Sequence, residues 1–224
     1  MTTLLLAGAA GRMGRMLVEE LAGVPELTAV IPLLRGDDAR TVLSEHHPDL
    51  LLDFSLIEGS RELAVLAARA GVPVVVGVSG YRAEDVRMLG EACLDGSVAG
   101  LLAPNFSLGA VLQLRHAAEL AARIPCTGIH EVHHPGKRDA PSGTALAAAA
   151  AIERTSGSRP AIRSERLEGR LAEQTIRFGH PGEVCELVHR VTDRRAYLPG
   201  VLLALRGVRS LPVGLHIGLE PLLR

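Results

Sequence analysis

The sequence predicts an α/β protein, with a doubly wound parallel sheet and a smaller α+β domain. Short apolar runs alternate with helical segments over the first half of the chain, and this alternation favours a parallel sheet with helices on both faces. The first apolar run passes directly into a glycine-rich turn and a helix. Between residues 174 and 191, polar and apolar residues alternate instead, as in antiparallel strands that expose one face.

Five strands and three helices are expected in the first half. A strand buried on both faces is a continuous apolar run, and each such run here ends at a glycine or a polar turn. The predicted strands are residues 3–7, 27–34, 50–55, 73–78 and 98–103, and the predicted helices are residues 15–22, 58–70 and 82–94. Together they predict a dinucleotide-binding domain over residues 1–106, completed by residues 195–224.

The second half is expected to form a substrate-binding and oligomerisation domain over residues 107–194. Its elements follow from helical and alternating periodicity. In order they are a helix at residues 108–124, a strand ending at residue 134, a helix through residue 152, an irregular polar segment at 155–169 and antiparallel strands at 174–178 and 183–191. A helix at 194–205 and a compact apolar tail at 214–220 follow, where the chain returns to the first domain.

Gly8, Gly11 and Gly14 form a Gly-x-x-Gly-x-x-Gly turn between the first strand and the first helix. This spacing is a variant of the Rossmann-like dinucleotide fingerprint. There, the first glycine makes a tight turn, the second admits the pyrophosphate and the third lets helix pack on strand. The alternative is a turn that is merely rich in glycine. After the second strand, Leu34 replaces the acid that often binds the adenine ribose, and Arg35 is either a ligand for a 2′-phosphate or a surface arginine.

Polar or glycine-containing turns also follow the other predicted strands. They are Asp53–Ser55, Gly77–Gly80 and Ala103–Phe106. Ligands of doubly wound folds bind outside the carboxyl ends of the strands. We therefore expect these three turns and Gly8–Met13 to lie on one rim of the sheet and to surround one ligand.

Residues 130–144 contain three histidines, two acids, an arginine and a lysine among prolines and glycines. Lys137 is the only lysine among 24 lysine and arginine residues. Lysine, unlike arginine, can give up its proton where it is desolvated, so we predict that Lys137 donates a proton to a reacting centre. The alternative is that a single lysine falls here by chance. Glu131 either orients His133 or pairs with Arg138.

Ser142 is predicted to be the N-cap of the helix that follows this stretch. Its hydroxyl can accept a hydrogen bond from the first unpaired N–H groups of the helix. With Ser142, Gly143 and Thr144 at its mouth, such a helix N-terminus is suited to an anion such as a carboxylate.

Composition argues against several functions. The net charge is −1 and the pI is about 6.8, so no strong field attracts nucleic acid or an anionic membrane. Aromatic residues make up only 2% of the chain, with no tryptophan, which argues against base stacking. We expect no membrane span and no leader segment, because no apolar run has the required length or flanks. Three widely spaced cysteines suit the reducing cytoplasm better than a disulfide framework.

Four motifs together resemble those of the 4-hydroxy-tetrahydrodipicolinate reductase (dihydrodipicolinate reductase) family. They are Gly-Ala-Ala-Gly-Arg-Met-Gly at residues 8–14, Asp-Phe-Ser at 53–55, Pro-Asn-Phe-Ser-Leu-Gly at 104–109 and His-His-x-x-Lys-x-Asp-Ala-Pro-Ser-Gly-Thr-Ala at 133–145. The resemblance implies that NADH or NADPH reduces a small cyclic dicarboxylate, with loss of its 4-hydroxyl, in lysine and diaminopimelate synthesis. It also implies a homotetramer built through the central sheet.

The resemblance assigns roles position by position. His133 is expected to be the general acid/base residue and Lys137 the proton donor. The expected cofactor contacts at the pyrophosphate are Gly8, Ala9, Ala10, Gly11, Arg12 and Met13. Those beside the nicotinamide are Phe54, Gly77, Val78, Ser79, Ala103, Pro104, Asn105 and Phe106. Arg35 is included as a cofactor contact because of its place after the second strand. The expected substrate contacts are His134, Gly143 and Thr144, with Lys137 and Ser142. The chain is shorter than family members between the second and third strands and around residues 155–170.

Three alternatives remain at this stage. His130, His133 and His134 are candidates for a metal-dependent, hydrolase-type site, although no common ligand spacing fits and a cation would repel Lys137. The second alternative is a nucleotide-binding homologue with impaired catalysis. The third alternative is another nicotinamide enzyme of similar build, such as an amino-acid dehydrogenase.

Overall fold

The computed structural model describes residues 2–223, which contain ten strands and seven α-helices. The first elements are β1 (Thr2–Ala7), α1 (Arg12–Leu21), β2 (Leu27–Leu33), α2 (Ala39–His46), β3 (Leu50–Asp53), α3 (Ile57–Arg69), β4 (Val74–Val76), α4 (Ala83–Asp95) and β5 (Ala99–Leu102). They are followed by α5 (Leu108–Ala121), β6 (Cys126–His133), α6 (Gly143–Ser156), β7 (Ile162–Arg166), β8 (Ala172–Phe178), β9 (Cys185–Val191), α7 (Leu198–Gly207) and β10 (Gly214–Ile217).

The described chain divides into two compact units. The first unit runs up to Phe106 and resumes at Tyr197, and the second is Ser107–Ala196. In the first unit, six parallel strands form one sheet in the order β10-β5-β4-β3-β1-β2. The chain adds β2 on one side of β1 and β3 on the other. The carboxyl ends of β1 and β3 therefore border the crevice in which doubly wound folds bind ligands.

Apolar runs form the centre of the first sheet. All residues of β3 and β4 are buried, as expected for strands covered on both faces. On α3, Ala64, Ala67 and Ala68 are fully buried in the main core cluster, because small side chains let a helix pack closely on a sheet. This rigid core fixes the ends of β1, β3, β4 and β5 from which the ligand-binding turns start.

The second unit contains a four-stranded mixed sheet in the order β7-β6-β8-β9. Strand β6 runs parallel to β7 and antiparallel to β8. One face of this sheet packs Ile129, Ile176 and Phe178 against the buried alanines of α5 and α6. Alternate residues of β8 and β9 point to the other face, where Arg177, Glu186, Val188 and Arg190 are exposed.

The structure confirms the predicted fold class and corrects several elements. Helix α2 and strand β7 were not expected, and the segment predicted as irregular at residues 155–169 contains the end of α6 as well as β7. Helix α1 starts at Arg12, three positions earlier than predicted. The apolar tail contributes β10, which pairs with β5. The sequence Ile-Arg-Ser-Glu-Arg of β7 lacks a continuous apolar run because β7 is an edge strand.

Among residues 2–223, no helix has both the length and the apolar character needed to cross a lipid bilayer.

Candidate active site

The turn after β1 requires glycine at two positions. Gly8 has a φ of +79°, and a Cβ there would lie 2.7 Å from the backbone nitrogen of Ser55. A Cβ at Gly14 would lie 2.5 Å from Ala9 Cα. Both positions therefore bring backbone segments closer than a side chain allows. This is the geometry expected of the first and third glycines of a dinucleotide-binding turn.

Helix α1 starts immediately after this turn, with Gly11 as its N-cap. The first N–H groups of any helix have no acceptor within the helix, and Gly11 provides no side-chain cap. Such N–H groups bind phosphate well. Ala10, Gly11 and Arg12 are exposed, whereas Ala9 is buried. The residues present therefore fit a pyrophosphate at this turn.

Phe54 connects the turns after β3, β4 and β5. Its ring lies 5.2 Å from the ring of Phe106, centroid to centroid. A Cβ at Gly77 would lie 2.7 Å from Phe54 Cζ, so glycine is needed for this contact. Val78, Ala103 and Phe106 are buried, Gly77 and Asn105 are half-buried, and Ser79 and Pro104 are exposed. Arg35 is exposed just after β2.

His133 and Lys137 lie at the two ends of a short loop in the second unit. His133 is the last residue of β6, and the loop turns back when Lys137 N donates to His134 O at 3.1 Å. The Lys137 ammonium pairs with Asp139 Oδ1 at 2.9 Å and keeps 26% of its side chain exposed. The two residues predicted to be catalytic are therefore held on one compact loop.

A fully buried carboxylate, Glu131, lies beside His133. Glu131 Oε1 accepts from the Ser142 backbone N at 3.1 Å, and Glu131 Oε2 lies 3.4 Å from His133 Nδ1. Burial lowers the pKa of His133; the Glu131 charge raises it, and Lys137 and Arg166 lower it further. The net lowering keeps the His133 imidazole neutral near pH 7, in the form that accepts a proton.

The pKa of Glu131 is also shifted. Burial alone would raise it, but the hydrogen bonds from Ser142 hold it below its usual value. Glu131 is therefore ionised, and it holds the start of α6 close to the end of β6. It contacts His133 and Arg166, and the pairing with Arg138 considered from the sequence is not the contact observed.

Arg166, which the sequence analysis missed, holds the loop that carries Lys137. Its guanidinium donates to Lys137 O at 3.1 Å, to Asp139 O and to Glu165 O. It also lies 3.5 Å from Glu131 Oε1. No local pattern pointed to Arg166, because it lies on the edge strand β7 and reaches the loop only through the pairing of β7 with β6.

Helix α6 starts at the predicted place. The Ser142 hydroxyl accepts from Ala145 N at 3.2 Å, which confirms the N-cap, and Ser142 is buried. Gly143 is exposed and nothing lies within 4 Å of a Cβ built there. Thr144 and His134 are half-buried. The N-terminus of α6 is thus open at Gly143 and lies next to the loop of Lys137.

The histidines do not converge as a metal site requires. His130 lies three positions before His133 on β6, so the two side chains point to opposite faces of the sheet. His130 Nε2 instead lies 3.4 Å from Glu165 Oε2. Within residues 2–223, no group of three or more histidines, cysteines or acids is arranged to hold a metal ion.

Comparison with known proteins gives matches along nearly the whole chain. The family model described as dihydrodipicolinate reductase, N-terminus, matches residues 2–106, and the one described as dihydrodipicolinate reductase, C-terminus, matches residues 109–223. The 4-hydroxy-tetrahydrodipicolinate reductase of Moorella thermoacetica is 35% identical, over 97% of this chain and 96% of that protein. The enzyme of the same name from Mycobacterium ulcerans is 36% identical, over 96% of both chains.

A solved structure is similar over the same extent. The dipicolinate-bound dihydrodipicolinate reductase from Paenisporosarcina sp. TG-14 superposes with a TM-score of 0.87 at 26% identity, and the match covers 99% of each chain.

Proposed function

The chain belongs to the dihydrodipicolinate reductase family, and on this basis we propose that it reduces 4-hydroxy-tetrahydrodipicolinate to tetrahydrodipicolinate with NADH or NADPH. In this reaction the substrate loses its 4-hydroxyl as water and takes up a hydride and a proton. The reaction belongs to lysine and diaminopimelate synthesis. The impaired-homologue and metal-site alternatives are not favoured, since the match is nearly complete and the histidines are not gathered around one point.

The first unit is proposed to hold the cofactor, which supplies the hydride when bound. Gly8–Met13 and the N-terminus of α1 would hold the pyrophosphate. The turns at Phe54, Gly77–Ser79 and Ala103–Phe106 would hold the nicotinamide end. Their fit is supported by the glycines at positions 8, 14 and 77, where a Cβ would clash with neighbouring protein atoms, so these residues let the turns pack closely around the proposed cofactor site.

Lys137 is proposed to be the proton donor and His133 the general acid/base residue. Hydride addition leaves negative charge on the conjugated imine of the substrate, and an ammonium within reach can quench it by proton transfer. Asp139 holds the ammonium in place at 2.9 Å. Arg166 and Glu131 fix the loop and His133 around it, which is the support that a proton donor needs to keep its geometry.

The substrate carboxylates are proposed to bind at the start of α6. Gly143 and Thr144 would offer backbone N–H groups, His134 and Lys137 would add donors, and Ser142 would support the site by capping the helix. The observation that carries the proposal is the backbone hydrogen bond from Ser142 to Glu131. This hydrogen bond joins the N-terminus of α6 to the end of β6, where His133 lies. The proposed anion site therefore lies next to the proposed proton-transfer groups.

The experiment is nicotinamide oxidation, followed at 340 nm, with substrate generated enzymatically and with NADH and NADPH compared. We expect turnover with at least one cofactor and none without substrate. Purified protein that binds cofactor and substrate but fails to oxidise either cofactor would contradict the proposed activity.

We also propose the domain division and a homotetramer. The dinucleotide-binding domain would be residues 1–106 with 195–224, and the substrate-binding and oligomerisation domain would be residues 107–194; the compact units support this division. The outer face of the four-stranded sheet would form the subunit contact, because Val188 is 52% exposed there between the pairs Arg177–Glu186 and Arg190–Glu173.

Sedimentation equilibrium tests the tetramer. Val188→Asp would place a charge in the contact, so we expect smaller species than the wild-type tetramer. The matched control is Val213→Asp in the first unit, where the valine is also 52% exposed. A wild-type monomer, or a Val188→Asp protein that remains tetrameric, would contradict the proposed contact.

We propose a cytoplasmic location because the cysteines are free thiols. Cys93, Cys126 and Cys185 all lie in the described part of the chain and none forms a disulfide there, which suits a reducing compartment. Cell fractionation with antibody detection tests this, and enrichment outside the cytoplasm would contradict it.

A further inference from the structure

A chain of hydrogen bonds links the turns after β3 and β4. Asp53 and Ser60 are both fully buried, and Ser60 Oγ donates to Asp53 Oδ2 at 2.5 Å. The Tyr81 hydroxyl lies 2.8 Å from Ser60 Oγ. A serine hydroxyl can donate one hydrogen bond, and here Asp53 accepts it. Tyr81 therefore donates to Ser60, and the chain runs from Tyr81 through Ser60 to Asp53.

Asp53 uses its second oxygen to shape the turn after β3. Asp53 Oδ1 accepts from Ser55 N at 2.8 Å, so the carboxyl group holds the Phe54–Ser55 turn from below. That turn is the one against which Gly8 packs, where a Cβ would meet Ser55 N at 2.7 Å. A shift of Ser55 would therefore move the surface on which the glycine turn rests.

The turn after β4 is tied to the same residues at both of its ends. Gly77 N donates to Asp53 O at 2.8 Å, and Tyr81 closes the far end through Ser60. Between them lie the exposed Ser79 and Gly80. Burial raises the pKa of Tyr81 to about 12, so its hydroxyl remains protonated and can donate throughout the ordinary pH range.

We propose that Asp53, Ser60 and Tyr81 are positioning residues that hold the turns after β1, β3 and β4 in the shape that binds the nicotinamide cofactor. This inference rests on the proposed function, because it assumes a cofactor at this rim. The three side chains act through Phe54, Ser55 and the Gly77–Gly80 turn. A fully buried carboxyl group costs free energy unless it is hydrogen-bonded. Both carboxyl oxygens of Asp53 accept hydrogen bonds, one from Ser60 and one from Ser55 in the turn after β3.

The affinity for cofactor tests the inference without requiring turnover. Isothermal titration calorimetry with NADH and NADPH gives Kd for the wild type and for Tyr81→Phe, which removes one oxygen atom. Ser60→Val and Ser60→Thr form a matched pair of equal shape that differs in the hydroxyl. We expect Tyr81→Phe and Ser60→Val to raise the cofactor Kd about tenfold, while Ser60→Thr stays close to the wild type.

Kinetics separate positioning from general stability. In Tyr81→Phe the KM for cofactor should rise in parallel with Kd, by more than the KM for substrate, because the hydrogen-bonded chain supports the cofactor turns. A purely structural role predicts a lower unfolding temperature with unchanged Kd at 25 °C, and that result would overturn the inference, as would equal Kd values for Ser60→Val and Ser60→Thr. A wild type that binds neither cofactor would overturn the proposed function itself and this inference with it.

Discussion

Replacing Arg166 by lysine should loosen the loop that carries Lys137. The guanidinium donates to the carbonyls of Lys137 and Asp139 at the same time, and a lysine ammonium in its place reaches one of them at most. A hydrogen bond from a charged donor contributes about 1.5–3 kcal/mol. Since the Arg166 side chain is 21% exposed, we take about 2 kcal/mol, which corresponds to roughly 30-fold more frequent opening of the loop.

Hydrogen exchange measures this opening directly. The Lys137 amide, which donates to His134 O, should exchange roughly 30-fold faster in Arg166→Lys, and kcat should fall by about tenfold or more because Lys137 is held less firmly. The control is Arg163→Lys on the same strand, whose side chain is 77% exposed and pairs with Glu165 at the surface; little change is expected there. Wild-type exchange and wild-type kcat in Arg166→Lys would refute the assigned role of Arg166.

Three further predictions concern single groups. Lys137→Arg keeps the charge but removes the transferable proton, so kcat at saturating substrate should fall about 100-fold with little change in the unfolding temperature; retained turnover would defeat the proton-donor role. Glu131→Gln removes the charge that raises the pKa of His133, so that pKa falls and the limb of the kcat/KM profile set by His133 should move to lower pH. A profile that stays in place would contradict the contact. Gly77→Ala places a Cβ 2.7 Å from Phe54 Cζ, so the ring must move and the cofactor Kd, measured by calorimetry, should rise about tenfold; an unchanged Kd would show that the ring does not shape the cofactor site.

The sequence by itself was enough for the order of the main elements and for the motifs. Strands buried on both faces are apolar runs, as in Leu50–Leu52 and Val74–Val76, and such runs are recognisable without knowledge of their neighbours. The turn Gly8–Gly14, the N-cap Ser142 and the single Lys137 are also local features, since each depends on residues adjacent in the chain.

Only the tertiary structure decided which distant side chains support these motifs. Arg166 and Lys137 are 29 positions apart, and Ser60 and Tyr81 are 21 apart. Their contacts depend on strand pairing and helix packing, and no local sequence pattern around either residue indicates its partner. The same holds for β7, an edge strand that forms because β6 offers it a partner.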